Sequence, residues 1–357
     1  MKVYLDNAAT TRVDDEVVKI MSEFFSDKYG NPSSGHIKGL EAREAVEKAR
    51  EIIAKAMNAN PEEIIFVSGA TEANNLALND KKVITTRIEH PSVLNSVKNP
   101  VFIKVDKEGF VNISELKKKL TKNCVASIAH ANHEIGTIQD IEQIGEICQG
   151  KNTLFHTDAS QSFTKEKIDV KKFGIDLVTL NSHKIHGPKG IGALYIKNGI
   201  SLKSLIKGGG QEKNLRSGTE NVPGIVGFGK AVEIAMKNFS ENREKMRRLR
   251  DKLIKGLNKK LNGSKEKRLV NNVNVVFDFD SDTMLKYLNH YNIYASSGSA
   301  CTSKEIEPSK ILLEIDLSKK EAMNSVRFSL SRFNTEKEID YVIEKIRLIS
   351  ENLGKLK

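Results

Sequence analysis

"NSHKIHGPKGIGALYI", residues 181–196, sets a lysine between the end of one strand-like run and a Gly-Pro turn leading into the next. The run "DLVTLNSHK" (176–184) delivers Lys184 at its carboxyl end, and "GALYIK" (192–197) follows the turn. In open α/β sheets, ligands bind outside the carboxyl ends of the strands, so the Lys184 amine is expected in a pocket rather than in solvent. A desolvated lysine has a lowered pKa and becomes a nucleophile toward aldehydes. The bland alternative is one more surface lysine in a lysine-rich chain. His183 and His186 flank Lys184, and "HANH" (130–133) offers two further histidines. Neither group has a third ligand at metal spacing, so no metal site is expected.

Outward from this stretch, strand-like runs alternate with helical ones. Strands are expected at 63–69, 82–90, 101–106, 124–132, 153–160, 176–184 and 192–197. Amphipathic helices are expected at 41–58, 112–120 and 140–148. This order predicts a doubly wound, mostly parallel sheet with helices on both faces. A long helical region from about Ile225 to Leu261 follows, then "NVNVVF" (272–277), a helix at 282–291, "IYASS", "SVRFSLS" (325–331) and a closing helix. That last section reads as a smaller α+β domain.

Other strand ends carry further chemistry. In "SGATEANN" (68–75), Gly69 and Ala70 let a ligand approach the backbone at a strand-to-helix turn, and Thr71 adds a hydroxyl. Free N–H groups and the helix dipole there favour an anion, although Thr71 could equally be an N-cap. "HTDASQS" (156–162) ends an apolar strand on Asp158, a carboxylate that needs a cationic partner or a full set of hydrogen bonds. A phosphate cradle, an aspartate for a protonated ring nitrogen and an aldehyde-trapping lysine together match the needs of pyridoxal 5'-phosphate.

The chain has 357 residues, a formal net charge of +11 and a pI of about 9.3. Its length predicts one large and one small domain. No apolar run approaches a membrane span, and "MKVYLDNAATT" lacks an apolar leader, so a cytoplasmic protein is expected. Basic charge is densest at 243–268, where Met246, Leu249, Leu253 and Leu257 recur at helical spacing, as on a solvated helix with one face packed inward. Of three cysteines, Cys124 and Cys148 sit among apolar residues, whereas Cys301 sits in "ASSGSACTSKE" (295–305), a polar run of small residues. An odd number without C-x-x-C spacing argues for free thiols in a reducing compartment.

The sequence resembles the cysteine desulfurases, the IscS/NifS-like group within the class V aminotransferases. The resemblance covers nearly the whole chain, through "YLDNAATT" (4–11), "GNPSSGH" (30–36), "GATEANNLAL" (69–78), "TTRIEHPSVL" (85–94), "EIGTIQ" (134–139), "DASQS" (158–162), "SHKIHGPKGIGALY" (182–195), "RSGTENV" (216–222), "SSGSACTS" (296–303) and "VRFSLSRFNTEKEID" (326–340). It implies the fold type I architecture of pyridoxal-phosphate-dependent transferases. The large cofactor-binding domain would span 12–255, around a seven-stranded sheet. Residues 1–11 and 256–357 would form the small domain. Carried onto this chain, it makes Lys184 the cofactor lysine, Asp158 the partner of the pyridine nitrogen and Gln161 that of the ring hydroxyl. His90 would stack on the ring as an acid/base, with Asn132 near ring and substrate. Ala70, Thr71 and His183 would hold the phosphate, and Thr219 would reach it from the partner subunit of a homodimer. Asn181 stands where the family commonly has serine. Arg327 would clamp the substrate carboxylate, a bidentate task suited to a planar guanidinium. Cys301, on a mobile loop, would accept sulfur from L-cysteine as a persulfide, L-alanine being released. The sulfur would pass to an iron–sulfur scaffold protein or toward tRNA thiolation. A selenocysteine lyase or another class V lyase is the alternative enzyme. A basic adaptor binding an iron–sulfur scaffold or tRNA is the non-enzyme alternative, although direct nucleic-acid binding is not expected without aromatic stacking residues beside the basic ones.

Overall fold

The computed structural model describes residues 1–298 and 307–355, so Cys301 lies outside the described residues. Strand β1 (Val3–Tyr4) comes first. It is followed by β2 (Ile64–Val67), β3 (Lys82–Thr86), β4 (Val101–Ile103), β5 (Cys124–Ser127), β6 (Leu154–Asp158), β7 (Leu177–Asn181) and β8 (Gly192–Ile196). β2 to β8 make the expected seven-stranded sheet, in the order β2-β8-β7-β6-β5-β3-β4. β8 runs antiparallel to both its neighbours, and the other pairings are parallel. Side chains alternate across the sheet. Phe66, Val178 and Tyr195 face a core shared with helices Asp15–Ser26, Ile37–Lys55 and Val222–Lys237. Ile65, Leu177 and Leu194 face the opposite core, under helix Ala70–Leu78. Burial on both faces explains why these strands read as unbroken apolar runs.

The remaining strands are β9 (Lys260–Leu261), β10 (Asn272–Val276), β11 (Ile293–Tyr294), β12 (Ser296–Ser297) and β13 (Ser325–Ser329). β12-β13-β10-β9 form an antiparallel sheet, and β1 pairs in parallel with β11. Val3 and Leu5 join Val273, Val275, Val326 and Phe328 in the core beneath helix Glu336–Gly354. The N-terminal segment is therefore stitched into the C-terminal sheet.

Two expectations shift on local grounds. The single helical region expected from Ile225 to Leu261 is two helices, Val222–Lys237 and Phe239–Leu257, because Asn238 leaves helical geometry at φ −111° and ψ 28°. The second helix stops at Asn258, which takes the left-handed conformation (φ 47°) that asparagine tolerates better than most residues. Its Leu249, Leu253 and Leu257 belong to the C-terminal core, so the division expected at residue 255 falls inside it. The strand expected over 82–90 ends at Thr86, because Pro91 starts a short helix, Pro91–Leu94, with His90 as its N-cap.

The basic segment is a packed helix face. Met246, Leu249, Leu253 and Leu257 are buried, while Arg247, Lys252, Lys259 and Lys267 each meet an acidic side chain. Among the described residues, no helix is long and apolar enough to cross a membrane.

Candidate functional site

The sheet's carboxyl ends converge on a cleft lined by Ala70, His90, Ala129, Ala131, His133, Asp158, Ser160, Gln161 and Lys184. Asp158 is the last residue of β6. Its Oδ1 accepts from the Ser160 amide at 2.9 Å, and its Oδ2 from Asn74 Nδ2 at 2.9 Å. Burial alone would raise its pKa, but the bonds from Ser160 and Asn74 and the Lys184 charge win and hold it below the ordinary aspartate value. Asp158 is thus kept anionic, ready to face a cation in the cleft.

Lys184 sits in the turn just past β7. Asn181 Oδ1 accepts from the Lys184 amide at 3.2 Å, and Thr11 pins the turn from the N-terminal segment through both its amide and its hydroxyl to the His183 carbonyl. Gly187 closes the turn, since a Cβ there would fall 2.0 Å from Ser182 Oγ. Burial, reinforced by the charge of Arg327 and opposed by Asp158, pushes the Lys184 amine down to about 8. Lys184 is therefore a usable nucleophile and base near neutral pH.

His90 lies across the cleft, with its Nδ1 2.8 Å from Ser92 Oγ and accepting from the Ser92 amide at 3.1 Å. Its ring meets His133 edge-on at 5.5 Å and 69°. The Gln161 amide donates to the Ala8 carbonyl at 3.0 Å, and its carbonyl oxygen accepts no hydrogen bond among the described residues.

The anion-binding end departs from the N-cap reading of Thr71. Gly69, with no side-chain cap, precedes helix Ala70–Leu78, and Thr71 is the second helical residue. First-turn amides without a side-chain cap suit a phosphate. Asn181 Nδ2 is buried with no hydrogen-bond partner among the described residues, the donor that a phosphate oxygen would satisfy. His183 Nδ1 lies 3.2 Å from Thr10 Oγ1, and burial together with Lys184, Lys189 and Lys165 pushes its pKa down to about 4. Thr219 is on an exposed loop following Gly218 (φ +111°) and is not among the residues that line the cleft.

Arg327 is held rather than free. Its Nη1 donates to the His133 carbonyl at 3.0 Å and its Nη2 to Asp6 Oδ1 at 2.9 Å. Its Nε is buried without a partner among the described residues. Asn132, expected at the ring and substrate, spends most of its amide on main chain. It donates to the Ile88 carbonyl and accepts from the Glu134 and Ile135 amides, so its chief work is bracing the turn beneath the cleft.

Sequence reading missed Ala129, Ala131, Ser160 and the placement of His133 in the cleft. His133 stood in "HANH" as a metal candidate, and three-residue spacing gives no sign that only one of the pair reaches the site. His130 is buried with its Nδ1 unpartnered among the described residues.

Unpartnered Asn181 Nδ2, the helix start without a side-chain cap, the anionic Asp158 and the lowered Lys184 amine together fit pyridoxal phosphate.

Comparison with known proteins agrees. A relative from Clostridium botulinum named Cysteine desulfurase IscS is 45% identical, covering 96% of this chain and 93% of its own. A solved NifS-like protein superposes with a TM-score of 0.91 at 39% identity, covering 99% of this chain and 100% of its own. A structure described as SspA in complex with cysteine matches with a TM-score of 0.82 at 36% identity, over 94% of this chain and 100% of its own. The family model Aminotransferase class-V matches residues 3–342, and the chain belongs to that family.

Proposed function

We propose that the chain is a pyridoxal-phosphate-dependent cysteine desulfurase, which converts L-cysteine to L-alanine and passes the sulfur to Cys301 as a persulfide. The observation that carries this reading is the pairing, in one cleft, of a Lys184 amine lowered to about 8 with an Asp158 kept anionic. When bound, the cofactor supplies an electron sink for charge developing at the substrate Cα. Lys184 would hold the cofactor and then move the Cα proton. Asp158 would keep the ring nitrogen protonated, Gln161 would bond the ring hydroxyl, and Ala70, Thr71, Asn181 and His183 would hold the phosphate. Arg327, now paired with Asp6, would exchange that carboxylate for the substrate's when acting as its clamp. The intact catalytic set disfavours a retired adaptor, and several charges of the basic segment are spent on acidic side chains.

We further propose a homodimer in which Thr219 reaches the partner's phosphate, with an iron–sulfur scaffold protein or another sulfur carrier as acceptor. The deciding experiment mixes the purified chain with L-cysteine and a reductant and measures alanine and sulfide. Equimolar alanine and sulfide, lost in Cys301→Ser, is the expected result. A cofactor-loaded chain that forms no alanine overturns the reading and turns attention to selenocysteine.

A further inference from the structure

Asp158 and His90 are joined by two residues with no role in the scheme above. Asn74, in helix Ala70–Leu78, is fully buried. Its Nδ2 donates to Asp158 Oδ2 at 2.9 Å and to Ser92 Oγ at 2.8 Å. Both amide protons are thereby used, and Asn74 Oδ1 is left buried without a partner among the described residues. The amide is therefore held in this orientation by the anion and the hydroxyl, not by its own oxygen. Since Ser92 Oγ accepts from Asn74, its proton is free to go to the next atom along, His90 Nδ1, 2.8 Å away. The Ser92 amide already donates to that same nitrogen at 3.1 Å. Two donors aimed at Nδ1 require a lone pair there, which leaves the ring proton on Nε2.

We propose that Asn74 and Ser92 are positioning residues that fix His90 as its Nε2–H tautomer, so that neutral His90 presents a hydrogen-bond donor at Nε2 rather than a lone pair. This rests on the proposed role of His90 in the desulfurase site. Asn74 donates to Asp158, because a carboxylate only accepts, and because the Ser92 amide makes His90 Nδ1 an acceptor, the Ser92 hydroxyl donates to it as well. Protonating His90 would set an N–H against two donors, which adds to the effects of burial and of Lys184, the causes that lower its pKa against the opposing pull of Asp158. The other titratable group facing the ring is His133, edge-on.

The test is nitrogen NMR of the full chain labelled at its 8 histidines, with His90 assigned by a His90→Gln variant and the spectra followed across pH. The wild type should show Nε2–H and an imidazolium pKa below the ordinary histidine value. Ser92→Ala removes one of the two donors, so the tautomer ratio should move about fivefold toward Nδ1–H, the equivalent of ~1 kcal/mol for one hydrogen bond, and the His90 pKa should rise. Ser92→Thr, which keeps the hydroxyl, should restore both. Asn74→Leu, which frees Ser92 Oγ to turn round, should act in the same direction as Ser92→Ala and serves if that variant does not fold. A wild-type Nδ1–H signal, or a ratio and pKa unmoved by loss of the hydroxyl, overturns the relay. The readout does not depend on turnover, so a chain that makes no alanine but shows the relay would refute the desulfurase reading alone.

Discussion

Cofactor capture by the cofactor-free chain should titrate with the Lys184 amine. Only the neutral amine attacks an aldehyde, and burial, aided by Arg327 and resisted by Asp158, brings its pKa to about 8. An ordinary lysine titrates near 10.4, so at about pH 7.5 roughly a quarter of Lys184 is neutral against about one in a thousand for an exposed amine, a gain of roughly two hundredfold. The sign follows directly: capture rises with pH and levels off above about 8, once the amine is deprotonated. Arg327→Gln removes a charge that lowers the pKa, so the midpoint should move up. Asp158→Asn removes one that raises it, so the midpoint should move down. Rapid mixing of cofactor with the chain, followed by visible absorption across pH, measures both. A wild-type midpoint close to 10, or an Arg327→Gln midpoint that stays put or falls, would refute the claim that burial and these two charges set the reactivity of Lys184.

Three further outcomes follow from the geometry. Arg327→Leu should raise KM for L-cysteine, with kcat/KM falling by about 2–5 kcal/mol of binding, and leave cofactor absorption in place; kinetics that lose kcat alone would contradict the clamp. Cys301→Ser should retain cofactor absorption but show no persulfide by intact mass after cysteine treatment, and a persulfide found on Cys124 or Cys148, both buried, would contradict the assignment. Glu212→Gln breaks the buried pair with Arg50 (2.7 Å) and weakens the bond from the Phe66 amide, so about 3–5 kcal/mol of stability should be lost in denaturant unfolding.

The strand set, the position of Lys184 and Asp158 at carboxyl ends, and the packed face of the basic helix were legible in the sequence. Each is written in local periodicity: apolar runs of four to five residues closed by polar or glycine residues, and apolar positions at helical spacing. The Gly-Pro turn after Lys184 was legible too, since Gly187 acts within a few residues of itself, whereas the helix that Pro91 starts cut short a run read as strand. What pairs across the chain was not. Asp6 lies 321 residues from Arg327, and their ion pair exists only because β1 crosses to the C-terminal sheet. Asn74, Ser92 and Asp158 come from a helix, a helix start and a strand end, and no spacing in sequence encodes their meeting. Which of His130 and His133 faces the cleft was likewise decided by the path of the backbone after β5. The sequence alone therefore determined the elements and the reactive residue types, because propensity and periodicity are local. Tertiary structure alone decided protonation and orientation, because these depend on burial and on partners that only the closed sheet and the returning N-terminal strand bring within hydrogen-bond reach.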